Sequence, residues 1–83
     1  MKLVMRKHAL DQIVDRKLDR AWVERVALRP EWTQPDDKPG VMRHYGAIPE
    51  FGYRVLRVVV VDRGLERHVL TAHFDRGASR RGS

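Results

Sequence analysis

At 83 residues the chain is a single domain's length, and a domain of that size buries only about 60% of the surface its unfolded chain exposes, so the core is thin and a second catalytic module has no room. It has no cysteine, which excludes disulfides and thiolate-held zinc and points to a reducing compartment, the cytoplasm. No apolar run approaches the roughly 18 residues of a membrane span, and the opening Met1-Lys2-Leu3-Val4-Met5-Arg6-Lys7 is too short and too charged for a signal peptide, so no membrane partner is expected.

Lysine and arginine total 17 against 11 acids, a formal charge of +6, and arginine supplies most of it. The planar guanidinium binds oxyanions bidentately and stays charged at any ordinary pH, so a polyanion is the first partner to consider. A basic surface that serves solubility alone is the alternative.

Residues 1–6 read as a short strand or a frayed end. From Lys7 to about Arg16, Ala9, Leu10, Ile13 and Val14 recur at helical spacing, while His8, Gln12 and Arg16 align along one side. Asp19 then reads as the N-cap of a second helix, with Leu18 and Val23 placed for a hydrophobic staple and Trp22, Val23, Val26 and Ala27 facing inward. That helix stops near Arg29, because Pro30 lacks a donor and disfavours helical geometry in the residue before it.

Residues 31–34 read as an edge strand and 35–40, rich in Pro, Asp and Gly, as an exposed loop. A strand over 41–47 and a turn over 48–52 follow. Residues 53–62, Tyr-Arg-Val-Leu-Arg-Val-Val-Val-Val-Asp, are the densest block of β-branched side chains and read as the central strand, apolar on both faces. Arg54 and Arg57 have opposite parity within it and point to opposite faces. A last strand runs over 67–75. The expected architecture is a single α+β domain over 1–76, an N-terminal helical hairpin packed on one face of an antiparallel sheet of about four strands. Residues 77–83 read as a mobile basic tail.

No cofactor is implied: the chain has no phosphate-cradling glycine loop, no paired helical histidines and no aspartate-rich calcium loop, and His8, His44, His68 and His73 are too scattered to predict a metal site. Candidate chemistry lies on the sheet. If the turn at Pro49 keeps odd positions beside odd ones, Arg43 and Tyr45 share a face with Arg57. In the last strand simple alternation puts Arg67, Val69, Thr71 and His73 on one face and His68, Leu70, Ala72 and Phe74 on the other, the second set more core-like. A two-residue Gly64-Leu65 turn sets Arg57 opposite Ala72, whereas a loop one residue longer or shorter sets it beside Thr71 or His73.

These groups suit metal-independent cleavage of RNA, with His73 and Tyr45 as proton-transfer residues and Arg57 stabilising the charged transition state. Arg43, Arg54, Thr71, His8 and Arg16 are candidate substrate-binding residues. Tyr45 and His73 as ordinary strand residues, and Arg57 as the partner of Asp62 or Glu66, are the alternatives. Trp32 is expected to pack at the sheet edge or to stack a base.

His8-Ala9-Leu10, Arg16, Leu18-Asp19, Val23, Pro30, Arg43, Tyr45-Gly46, Leu56-Arg57-Val58-Val59 and Thr71-Ala72 together resemble a widespread bacterial family of small domains that opens on a His-Ala helix and closes on a Thr-Ala strand. That family is similar in turn to the BrnT toxins, of RelE-like fold, through Arg43, Gly46 and the closing Leu70-Thr71-Ala72-His73. The resemblance implies a toxin-like ribonuclease held by a cognate antitoxin. Gln12 stands where the first family often has a basic residue, and His73 where BrnT toxins have an arginine. A catalytically silent domain binding protein or nucleic acid through the same face is the second reading, and a homodimer is a further possible assembly.

Overall fold

The computed structural model describes residues 1–78. Five strands and two helices make an α+β domain: β1 (Lys2–Met5), α1 (Lys7–Asp15), α2 (Arg20–Leu28), β2 (Trp32–Pro35), β3 (Val41–Ile48), a 3-10 turn at Pro49–Phe51, β4 (Arg54–Arg63) and β5 (Glu66–Phe74). The sheet order is β1-β5-β4-β3-β2, with β4 central as its apolar load predicts. The two helices carry the chain from one sheet edge to the other, and β2 to β5 then return by hairpins.

The expected four-stranded antiparallel sheet is thus a five-stranded mixed one, because β1 pairs parallel with β5, Lys2 beside Glu66 and Met5 beside Val69. Alternation explains the pairing: Leu3 and Met5 pack on the core while Lys2 and Val4 take the other face. The ladder runs past both ends of β1 through Lys2 N–H to Leu65 O and Arg6 N–H to Val69 O, 3.0 and 3.1 Å.

The start of α2 follows a local rule, whereas that of α1 has no side-chain cap. Asp19 caps α2 by accepting the Ala21 N–H at 2.9 Å, and the helix ends two residues before Pro30. Leu18, Val23, Val26 and Ala27 enter the core with Ala9, and meet Ile48, Leu56, Val58, Val60, Val69 and Ala72 from the sheet. Burying a Leu, Ile or Val side chain contributes about 1.5–3 kcal/mol, so this one layer holds the fold together. α1 lies against β5, and α2 against β4 and β3. Only Ala9 and Ile13 of the first apolar stripe turn inward; Leu10 and Val14 are exposed, since α1 covers little more than one strand.

The Gly64-Leu65 turn pairs Arg63 with Glu66, and Gly64 at φ +61° supplies its positive dihedral. The register nevertheless changes further along, where Val60 pairs with Val69 but Val59 pairs with Thr71. Leu70 is therefore the extra residue of a β-bulge, and it reverses the inside-outside parity of β5. Val69 and Ala72, three apart, both point into the core, while His68, Thr71 and His73 take the other face. Simple alternation, which grouped His68 and Leu70 with Ala72 and Phe74, fails at this residue. The edge of β5 beyond the end of β1 is closed by α1, whose Gln12 Oε1 accepts the Ala72 N–H at 2.8 Å.

Gly46 lets α2 approach the sheet, since a Cβ there would stand 3.0 Å from Val26 Cγ2. One residue before Val26 on α2, Arg25 grips Glu50 through two hydrogen bonds of 3.2 and 2.6 Å, holding that carboxyl down to about 2 and anchoring the 3-10 turn. Gly77 and Ala78, expected to begin the tail, donate their N–H groups to Asp75. Residues 79–83 of that tail lie outside the described residues.

Candidate nucleic-acid interface

The sheet has a second face, opposite the one that α1 and α2 cover. Across it, cross-strand pairing aligns Trp32 with Tyr45, Tyr45 with Arg57 and Arg57 with His73, one row over β2, β3, β4 and β5. Its neighbour aligns Gln34, Arg43, Val59 and Thr71 in the same way. The bulge is what completes both rows: in the unbroken register of a two-residue turn, Arg57 would face Ala72 and His73 would point into the core.

Five of the residues singled out from sequence are therefore neighbours: Arg43, Tyr45, Arg57, Thr71 and His73. Trp32, Gln34, Arg43, Tyr45, Arg57 and Asp75 line a shallow concavity of about 400 Å³. Arg54 lies elsewhere. Its even parity turns it away from Arg57, and its guanidinium sits 5.2 and 4.9 Å from the ring centres of Phe51 and Phe74. His8 is exposed on α1, apart from these rows. Arg16, at the end of α1, is outside the rows as well but close enough for its charge to act on His73.

Tyr45 is 4% exposed, stacks on Trp32 with centroids 5.1 Å apart and planes at 7°, and donates its hydroxyl to Gln34 Oε1 at 3.3 Å. Its ring is a packed part of the face and its proton is already engaged. The edge-packing expectation for Trp32 is met by this stack.

His73 pairs with Arg57 and has neither ring nitrogen hydrogen-bonded among the described residues. Burial, then the charges of Arg57 and Arg16, push its pKa below the ordinary 6.5, against a smaller opposing pull from Asp75. A neutral imidazole with a free nitrogen is a proton acceptor at neutral pH.

Arg43 donates Nε–H to Asp36 Oδ1 at 2.8 Å and has Asp37 at 3.8 Å. That hydrogen bond, helped by the Lys38 N–H, holds the Asp36 carboxyl below its usual range. Arg57 reaches Asp75 through one terminal nitrogen at a long 3.4 Å, and its Nε–H is buried with no acceptor among the described residues. Its partner is neither Asp62, which is bound by Arg67 in a fork of 2.7 and 3.0 Å, nor Glu66, which meets His68 at 2.9 Å. Arg43 is thus well neutralised and Arg57 loosely so; of the two, Arg57 is the better placed to exchange its carboxylate for a phosphate.

Asp36, Asp75 and Gln34 were not singled out from sequence, and Gln12 stood out only for its alignment with His8 and Arg16 and for the basic residue it replaces in the resemblance. Asp75 shares the parity of His73 two residues on, and Asp36 sits across a loop from Arg43, so both pairings had a signal. The capping role of Gln12 had none, since it depends on where β1 ends. Among the described residues no group of His, Asp or Glu is arranged to hold a metal ion, and no helix is long and apolar enough to cross a membrane. Compared with family models, with curated proteins and with solved structures, the chain matches none.

Proposed function

We propose that the chain is a toxin-like RNA-binding domain of the RelE/BrnT kind, its helices forming the N-terminal helical hairpin of that fold, which acts in the cytoplasm and is silenced by a cognate antitoxin covering the outer sheet face. The observation that carries this reading is the row Trp32, Tyr45, Arg57, His73 across four strands, which sets an aromatic surface, a loosely paired cation and a free imidazole side by side. Single-stranded nucleic acid is bound by that combination, bases on aromatic faces and backbone on arginine. The formal charge of +6 adds long-range attraction.

The same row supports metal-independent cleavage. His73 takes the proton of a 2′-hydroxyl, the 2′-oxygen forms a bond to phosphorus, and the bond from phosphorus to the 5′-oxygen breaks to leave a 2′,3′-cyclic phosphate. Arg57 stabilises the charge on the phosphate oxygens. The departing 5′-oxygen takes its proton from solvent, because the Tyr45 hydroxyl is held by Gln34. That engaged hydroxyl favours a second reading, a catalytically silent domain that binds RNA through the same face.

Affinity for a short single-stranded RNA measured against salt tests the binding. The expected log-log plot falls with a slope of about −0.7 per phosphate neutralised, and a flat plot refutes it. RNA integrity in a chelator, with wild type, His73→Ala and Arg57→Ala, separates the two readings. Cleavage by wild type that both substitutions abolish supports catalysis; intact RNA with retained binding leaves the silent domain.

A further inference from the structure

The hairpin between β3 and β4 ends in two consecutive left-handed residues, Gly52 at φ +66° and Tyr53 at φ +59°. Glycine adopts that conformation freely, whereas a bulky side chain there is strained by about 1–2 kcal/mol. The strain gains no packing, for the Tyr53 side chain is left in solvent and the residue is 70% exposed. Its backbone is held from both sides, by the Tyr53 N–H on Ile48 O at 2.9 Å and by the Glu50 anchor to α2. A ring displayed at that cost on a fixed backbone is arranged as a platform.

Tyr53 lines a cavity of about 530 Å³ with Arg54, Phe74 and Arg76, ample for a nucleobase and its sugar. Neither Arg54 nor Arg76 has a carboxylate partner among the described residues, unlike Arg43 and Arg57. The Arg54 guanidinium also lies over the Phe51 and Phe74 rings, which stack on each other and meet Trp22 tilted and edge-on in one aromatic cluster. Asp75 and Ala78 border both this cavity and the concavity of the sheet face, so the two sites adjoin.

We infer that Tyr53, Arg54 and Arg76 form a second subsite for the same single-stranded RNA, in which a base stacks on the Tyr53 ring and its flanking phosphate meets the two unpaired arginines. The strand continues from the His73 row around the end of β5 into this corner. Because the subsite extends the strand bound on the sheet face, it rests on that reading.

The test compares wild type, Tyr53→Asn and Tyr53→Phe for binding to an oligouridylate long enough to span both sites and to an abasic phosphodiester of the same length. Asparagine tolerates the left-handed conformation, so Tyr53→Asn keeps the fold, and a thermal melt no lower than wild type verifies it. The expected result is oligouridylate affinity weakened about 5- to 150-fold in Tyr53→Asn, near wild type in Tyr53→Phe, with abasic binding unchanged in both. Equal oligouridylate binding by wild type and Tyr53→Asn overturns the subsite and leaves the sheet-face reading intact. Equal losses for oligouridylate and abasic strand overturn base stacking, and a wild type that binds neither overturns both readings.

Discussion

Arg57 is expected to weaken the fold it sits in, and Arg57→Met is the substitution that shows it. The Nε–H of Arg57 is buried without an acceptor among the described residues, and such a group costs about 1–3 kcal/mol. What the side chain returns is one 3.4 Å contact with Asp75, partly solvated on both sides and worth about 0–1 kcal/mol. Asp75 keeps the Gly77 and Ala78 N–H groups on Oδ1 and loses the Arg57 contact on Oδ2, with solvent reaching the part-exposed carboxylate. Methionine replaces the aliphatic stem with a flexible chain of similar reach. The net expectation is a gain of about 1–2 kcal/mol, and for a domain this size each kcal/mol raises the Tm by about 4–8 °C. Urea and thermal unfolding at pH 7 measure it, and an NMR titration of His73 in the same variant should show its pKa rising, since Arg57 is one cause of its depression. RNA affinity should fall in parallel. A variant destabilised by more than about 1 kcal/mol would refute the reasoning and make Arg57 a structural residue.

Leu56→Ala, at a fully buried site on the central strand, should cost about 2–5 kcal/mol by urea unfolding, a large part of the stability of a domain this small. Gly46→Val should cost about 1–3 kcal/mol, since even its Cβ would stand 3.0 Å from Val26 Cγ2; an unchanged urea midpoint would mean that α2 is free to shift. Acid should destabilise the fold through His44 and His73, both lowered chiefly by burial. The unfolded chain takes up these protons near pH 6.5 and the folded one only at lower pH, so stability present above about pH 6.5 is lost as pH falls towards the folded values. The slope of unfolding free energy against pH in that window should be shallower in His73→Gln, and an identical slope would mean that His73 titrates alike folded and unfolded.

Local chemistry was legible throughout. Asp19 caps the helix it was expected to cap, Pro30 bounds that helix, and the valine-rich run is the central strand. Each follows from rules acting along one continuous stretch of chain. The shared face of Arg43, Tyr45 and Arg57 followed too, because Tyr45 does pair with Arg57. What failed were expectations that depended on distant partners. Leu10 and Val14 carry the same helical period as Ile13, and only the width of the surface beneath α1 decides which are buried. The opposite faces of Arg54 and Arg57 followed from their parity, but that one lies on phenylalanine rings and the other in the row with His73 was decided by partners far along the chain.

The sequence by itself determined the two helices, the strands β2 to β5, their order and the alternating faces of β3 and β4, while leaving residues 1–6 as a strand or a frayed end, since propensity, capping and alternation are properties of neighbouring residues. Only the tertiary structure decided that β1 joins β5 in parallel, and that Leu70 is extruded so that His73 faces Arg57. Both are choices of register between segments far apart in the chain, made by which side chains fill the shared core, and a shift of one residue exchanges every face. Here that shift, at Leu70, sends His73 to the face of the sheet away from the helices and Ala72 to the core.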